Sequence, residues 1–259
     1  MSDQSRFLRS SSIVHYPTCP HKFTLSRLYW DDLPKTDAMR EGLLFEFYVQ
    51  GMKHNTSQTA QEYEKELIGK KRKSTINHIK KLAEITRQNL ADENVQTFIE
   101  YVIERGDGDP MKCEIDRIGG VYHDGKWIRA IIDLKKTSNI ETIWNQKQSR
   151  FDFLQAVVYP YCHYKKTGEH LPFVYVITED SFDVPLIKTI KVTTTLDDFE
   201  WLEHIMQIID DDIFKEPVVS RETCYSFRGF GKCRYFQQCQ AAKDFFSRTE
   251  NINFEELEY

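Results

Sequence analysis

The sequence predicts a mixed α/β fold, and three observations predict it. Segments with the 3.6-residue period of amphipathic helices alternate with segments of period two. Their order is helix, strand, strand, helix, strand, strand, helix, the arrangement of a sheet flanked by helices. The chain has 259 residues, 40% of them hydrophobic, enough for one large packed core. With 29% charged residues, this composition excludes a disordered, collagen-like or low-complexity chain. No run approaches the roughly 18 apolar residues of a membrane helix, and the N-terminus lacks an apolar signal core. A soluble, cytoplasmic protein without membrane contact is therefore expected. The net charge of -5, from 35 Lys+Arg against 40 Asp+Glu, argues against a general nucleic-acid binder. Six cysteines are too few for a disulfide scaffold, so a cysteine cluster reads as metal-binding or incidental.

The elements follow in order. The first ten residues are polar and read as a frayed end. After the Tyr16-Pro17 and Cys19-Pro20 breaks, a short helix is expected over Thr24–Trp30, and a second from Asp37 through Phe47 to about Met52. Gln58 to Arg105 reads as helical and highly charged, with apolar stripes at Tyr63, Leu67 and Ile68 and at Ile79, Leu82, Ile85 and Leu90. Gly106-Asp107-Gly108-Asp109-Pro110 stops the helices. Met111, Cys113 and Ile115 then alternate with Lys112, Glu114 and Asp116, as in a strand. His123-Asp124-Gly125-Lys126 reads as a hairpin turn, and Trp127, Arg129, Ile131, Asp133 and Lys135 alternate with Ile128, Ala130, Ile132 and Leu134. A helix over Ile143–Lys165, kinked at Pro160, leads to strands over Phe173–Thr178 and Leu186–Thr193. Leu196–Phe214 is a final helix, and a cysteine-rich tail begins after Pro217.

The chemistry gathers on one strand pair. Side chains alternate along a strand, so Asp133 and Lys135 share a face about 6.6 Å apart, while Leu134 points into the core. The hairpin places Asp116 on the neighbouring strand. Carboxylate oxygens of this kind hold Mg2+ or Mn2+, and a lysine beside them can orient a water or stabilise a pentacovalent phosphate. An isolated Asp-x-Lys is more often a pair of solvated charges; the surrounding residues decide the reading.

Those residues are Cys113-Glu-Ile-Asp116-Arg-Ile, then Asp124-Gly125, then Ile131-Ile-Asp133-Leu-Lys135-Lys-Thr-Ser138, then Gln155-Ala-Val-Val-Tyr159. Together they resemble motifs II and III, and the following Gln-x-x-x-Tyr helix, of RecB-type nucleases in the PD-(D/E)XK superfamily. The resemblance implies a restriction-endonuclease-like core, with a mixed central sheet flanked by helices. It implies Asp116 and Asp133 as ligands of Mg2+ or Mn2+, with the Leu134 carbonyl as a further ligand. It also implies Lys135 at the attacking water and Gln155 and Tyr159 at the DNA strand. Gln155 and Tyr159, at i and i+4, share one helix face. In motif I, Phe45 stands where RecB-like proteins carry a histidine. Gly42-x-x-x-Glu46 resembles instead the YqaJ-type phage recombination exonucleases, similar to lambda exonuclease, which implies a metal-binding role for Glu46. Glu41 is a weaker candidate.

Cys19 lies in Tyr16-Pro-Thr-Cys19-Pro, and about 200 residues later comes Cys224-x8-Cys233-x5-Cys239. One cysteine before the core and three after it resembles AddB and the CRISPR-associated RecB-like exonucleases. This implies a [4Fe–4S] cluster stapling the two ends of the domain. Many relatives have Cys-x2-Cys where this chain has Cys224-x8-Cys233. Four thiolates also suit zinc, the second choice; unconnected buried cysteines come third. Phe227, Phe230, Tyr235 and Phe236 would shield a cluster or be ordinary core. Cys113 and Cys162 read as core, and His15, His21 and His123 as surface.

Lys65, Lys70, Lys71, Arg72, Lys73, Lys80, Lys81 and Arg87 concentrate positive charge that could hold DNA phosphates, set against Glu62, Glu64 and Glu66. Tyr122, Trp127, Arg129 and Arg150 are further possible contacts. The expectation is one nuclease domain over 1–259, with a helical insertion at 57–106 and a cysteine-rich segment at 217–240 pairing with Cys19. Its expected function is metal-dependent DNA exonuclease, acting on single-stranded or duplex ends in a bacterial, archaeal or phage-infected cell. The alternative is a non-catalytic DNA-binding module of the same fold. Oligomerisation is open. Two settings stay open as well: phage recombination beside a single-strand annealing protein, toward which Glu46 leans, and CRISPR adaptation beside an integrase, toward which the cysteines lean. The acidic balance then reads as a carboxylate cluster plus Asp210-Asp211-Asp212 and Glu255-Glu256 facing solvent.

Overall fold

A computed structural model describes residues 7–17, 19–29, 36–51, 62, 64–65, 73–144, 153–181, 185–211, 233, 235–241 and 243–244. Five strands form one sheet in the order β1-β2-β3-β4-β5: β1 (Gln96–Arg105), β2 (Gly108–His123), β3 (Lys126–Thr137), β4 (Phe173–Glu179) and β5 (Ile187–Val192). β2 and β3 pair antiparallel across the expected Asp124-Gly125 turn, with Tyr122 opposite Trp127 and Arg117 opposite Ile132. Both turn residues adopt positive φ, 46° at Asp124 and 79° at Gly125, the conformation of a two-residue hairpin loop. β3 and β4 pair parallel, with Asp133 beside Tyr175 and Lys135 beside Ile177, and β4 and β5 pair antiparallel. The parallel step requires a crossover, and helices fill it.

The described helices are α1 (Ser10–Ile13), α2 (Pro20–Leu28), α3 (Asp37–Gln50), α4 (Lys73–Arg87), α5 (Ile140–Trp144), α6 (Leu154–Thr167) and α7 (Leu196–Asp211). α3 starts where Thr36 Oγ1 accepts the Met39 N–H at 3.2 Å and stops at Gly51, in the left-handed region at φ 74°. The chain divides into two compact units. One comprises Pro34–Glu104 and Met111–Glu203; the other comprises Met1–Leu33, Arg105–Pro110 and His204–Tyr259.

In the larger unit, one sheet face presents Ala130, Ile132, Leu134, Val174 and Val176 to Leu44, Phe45, Phe47 and Val49 of α3 and to Ile76, Ile79, Leu82 and Ala83 of α4. Each such side chain contributes about 1.5–3 kcal/mol on burial. The other face carries Phe173 and Tyr175, whose rings pack against Tyr159 of α6 and Trp144 of α5 at 5.9 and 4.9 Å. Asp133 and Lys135 lie on this second face, as the alternation requires. In the smaller unit, Arg27 pairs with Asp109 at 2.7 Å and Arg105 with Asp210 at 2.6 Å.

Several expectations are corrected. The helical reading of Gln58–Arg105 holds over Lys73–Arg87 but fails over Gln96–Arg105, which is strand β1. Its Thr97, Phe98, Ile99, Tyr101, Val102 and Ile103 are β-branched or aromatic, and Lys112 of β2 reaches back to Glu100 at 2.7 Å. The Gly106-Asp107 run is therefore a turn between strands. α2 starts at Pro20, not Thr24, because proline suits a first helical position while breaking a helix interior. Pro160 lies within α6, which continues to Thr167. The helix expected from Ile143 is observed as two pieces, α5 ending at Trp144 and α6 starting at Leu154, with 145–152 outside the described residues. Asp210 does not face solvent but pairs with Arg105, and His123 bonds Thr189 of β5 at 2.9 Å rather than lying free on the surface. Tyr63, Leu67, Ile68, Arg150, Asp212 and the Glu255-Glu256 tail lie outside the described residues.

Candidate active site

The β2–β3 ladder ends at Arg117 opposite Ile132, one residue short of Asp116 and Asp133. There Asp116 turns its carboxylate across the strands: Oδ2 accepts the Leu134 N–H at 2.9 Å. Leu134 thus contributes its backbone N–H to the cluster, while its side chain is buried in the core. Asp133 is 1% exposed, and its Oδ2 lies 2.6 Å from Lys135 Nζ. That ion pair with the Lys135 ammonium is the contact this buried oxygen makes among the described residues. α3 supplies the third acid: Glu46 meets the Asp116 carboxylate side chain to side chain.

Three carboxyls therefore crowd one ammonium, and their proton affinities follow. Asp116 is pushed up to about 7, first by burial and then by the charge of Asp133, against the pull of Lys135 and of the Leu134 N–H. Burial and then Asp116 raise Glu46 well above the ordinary carboxylate range. Two carboxyls this close share a proton between them, which raises the pair above the ordinary carboxylate range. Burial also raises Asp133, against the pull of Lys135. Burial alone would lower Lys135, but Asp133, Asp116 and Glu46 outweigh it and hold the side chain as an ammonium.

On α6, Gln155 Nε2 donates to the Tyr159 hydroxyl at 3.1 Å. Tyr159 is buried, and burial followed by the charges of Asp133 and Asp116 raises its phenol well above the ordinary range. The phenol stays protonated beside the carboxylates. The structure thus brings together Glu46, Asp116, Asp133, Lys135, Gln155 and Tyr159. Phe45 is fully buried in the core. Glu41 does not join the cluster: its Oε2 lies 3.2 Å from Lys136 Nζ. Lys136 also pairs with Asp180, whose other oxygen is 2.6 Å from His78 Nε2. Gln50 escaped the sequence reading altogether. Its Nε2 donates to the Asp116 carbonyl at 3.0 Å, and its Oε1 accepts from Arg117 Nη1 at 3.2 Å. The signal available for it was its place four residues after Glu46, on the same helix face.

Hard carboxylate oxygens on a buried Asp133, Asp116 and Glu46 fit Mg2+ or Mn2+. Among the described residues no three His, Cys, Asp or Glu side chains are arranged to hold a metal ion as they stand.

Of the cysteines, Cys19 caps α2: its Sγ accepts the Lys22 N–H at 3.3 Å. Its own N–H goes to the carbonyl of His15, whose ring packs on Tyr235 at 6.5 Å. Cys233, Tyr235 and Cys239 belong to the same compact unit as Cys19, and Cys224 lies outside the described residues. Cys113 and Cys162 are buried thiols, as expected. Lys70, Lys71 and Arg72 lie outside the described residues, and Lys73 is exposed at the start of α4. Lys80 is partly neutralised by Glu64 at 2.8 Å, and Arg129 pairs with Glu169 at 3.6 Å.

No protein-family model and no curated protein sequence matches the chain. Solved structures do. A candidate exonuclease from Eubacterium rectale is 17% identical, with a TM-score of 0.57 over 96% of this chain and 95% of that one. The protein called SSO0001 is 15% identical, with a TM-score of 0.45 over 93% of this chain and 88% of that one. The first likeness establishes the fold as a mixed five-stranded sheet flanked by helices, the α/β class expected.

Proposed function

We propose that the chain is a Mg2+- or Mn2+-dependent deoxyribonuclease that acts as an exonuclease on DNA ends. The observation that carries this reading is the convergence of Glu46, Asp116 and Asp133 on one lysine, with Asp133 buried against it. Glu46, Asp116 and Asp133 would hold the metal, and the Leu134 carbonyl is the further candidate ligand. Bound there, the ion supplies an acidified water and neutralises charge on the phosphate. The chain's own groups do the rest. Lys135 is held protonated by its acidic neighbours, so it serves as a donor that orients the water and stabilises charge on the phosphate, not as the base. Tyr159, protonated and bonded to Gln155, is a second donor on the same face and positions the strand.

The name of the similar Eubacterium rectale protein supports nuclease action on DNA. The exposed Lys73, Lys81 and Arg87 of α4, with Lys70, Lys71 and Arg72 before them in sequence, suit phosphate contacts. Cys19, Cys224, Cys233 and Cys239 would hold a [4Fe–4S] cluster, with zinc as the second choice. The meeting of His15 with Tyr235 beside Cys19 supports that assignment. Glu46 favours a recombination setting beside a single-strand annealing protein; the cysteines favour CRISPR adaptation beside an integrase.

Incubation with end-labelled linear, circular and single-stranded DNA, with Mg2+, with Mn2+ and with a chelator, tests the reading. Metal-dependent loss of linear DNA, abolished in Asp116→Asn, is expected. Cleavage that survives both the chelator and Asp116→Asn rejects it. Anaerobically purified protein should be brown, absorb near ~400 nm and carry about four irons; colourless protein with stoichiometric zinc overturns the cluster assignment.

A further inference from the structure

Glu46 has to sit against two strands at once, and it is carried by a helix that could slide or rotate. The structure brackets it with two polar clasps. Four residues after Glu46, Gln50 donates to the backbone carbonyl of Asp116 at 3.0 Å and accepts from Arg117 at 3.2 Å. Amide orientation is unambiguous here, because one partner can only accept and the other can only donate. Arg117 is itself 4% exposed and donates its other terminal nitrogen to the Ala91 carbonyl, so the clasp is anchored in turn. Five residues before Glu46, Glu41 pairs with Lys136 of β3, three residues beyond Asp133. One clasp thus ties α3 to the strand of Asp116, the other to the strand of Asp133.

We infer that Gln50, with Glu41 as its counterpart, is a positioning residue that sets the affinity of the Glu46–Asp116–Asp133 site for a divalent cation. The inference rests on the metal-site reading above. Gln50 touches Asp116 through the backbone, so it moves the carboxylate without altering its chemistry. Partners that orient ligands in this way typically change metal affinity by about 10–100-fold. Apolar packing of Leu44, Phe45, Phe47 and Val49 docks α3 on the sheet, but packing is non-directional and leaves sliding along the strands comparatively cheap. The clasps are what set the register.

Mn2+ binding to the full chain, followed by the electron paramagnetic resonance of free Mn2+, tests this without relying on turnover. Gln50→Leu should bind Mn2+ about 10–100-fold more weakly than the parent. Gln50→Glu keeps the acceptor for Arg117 but loses the donor to Asp116. It should therefore recover thermal stability without recovering Mn2+ affinity, a split that a merely structural role would not produce. If Gln50→Leu fails to fold, Gln50→Glu and Glu41→Gln carry the same expectation. Folded variants with parental Mn2+ affinity overturn the inference. A parent protein that is folded but binds no Mn2+ overturns the metal-site reading itself, and the inference with it.

Discussion

Lys135 and Lys136 are neighbours in sequence and enter two clusters built from the same chemical parts, on opposite faces of β3. Lys135 faces Asp133, Asp116 and Glu46; Lys136 faces Glu41 and Asp180, the latter also bonded to His78. The first cluster has three acids to one amine. Its carboxyls are driven up. The second has two acids to an amine and an imidazole. There, burial would raise Asp180, but the bonds and charges of Lys136 and His78 prevail and lower it. The lesson is one of balance. A cluster whose acids are matched by donors is a structural tie, whereas one with three acids to one amine keeps its carboxyls raised.

The largest effect should come from the unbalanced cluster. Lys135→Met removes its only cation and a donor at the reacting group, and DNA cleavage should fall by about 10²–10³-fold while the protein stays folded. Single-turnover cleavage with circular dichroism on the same sample measures both; near-parental cleavage would mean that the two lysines are equivalent and the contrast is empty. In the balanced cluster the same substitution, Lys136→Met, should act on stability. Removing the lysine takes away the ion pairs of Glu41 and Asp180 with it, costing about 3 kcal/mol in a denaturant titration, with kcat at saturating metal little changed per folded molecule.

The smallest effect is the most discriminating. In metal-free protein, Asp116 is raised to about 7, so the folded state binds more protons than the unfolded one above the ordinary carboxylate range. Its contribution is fully present below pH ~4 and is lost as pH rises toward 7, by at most about 1.4 kcal/mol per pH unit per proton. Glu46 acts in the same direction. Asp180 is lowered, so its contribution is present above its ordinary range and is lost as pH falls. Thermal melts across pH should therefore show Asp116→Asn removing the neutral-side decline and Asp180→Asn removing the acid-side one. Added Mg2+ should flatten only the first. If both variants alter the same limb, the two clusters are not opposed.

Much of this was legible in the chain. The hairpin at Asp124-Gly125, the strands around Asp116 and Asp133, and the i, i+4 pair Gln155 and Tyr159 follow from local periods, and the structure has them in place. Strand β1 was not legible, because a ten-residue segment with Glu100, Glu104 and Arg105 set among apolar residues fits a helix as readily as a strand until β2 supplies its partner. Asp210 read as a solvent-facing acid until Arg105 was found 2.6 Å away. Lys80 and Arg129 read as open positive charge until Glu64 and Glu169 were placed beside them.

By itself, the sequence determined which candidate residues share a face, since alternation along a strand and the helical period are local properties of the backbone. Only the tertiary structure decided which acids meet. Glu41 and Glu46 lie on one helix five residues apart, yet one finds Lys136 and the other finds Asp116. That choice depends on how α3 docks across two strands, and docking is set by packing and by the Gln50 clasp between residues far apart in the chain.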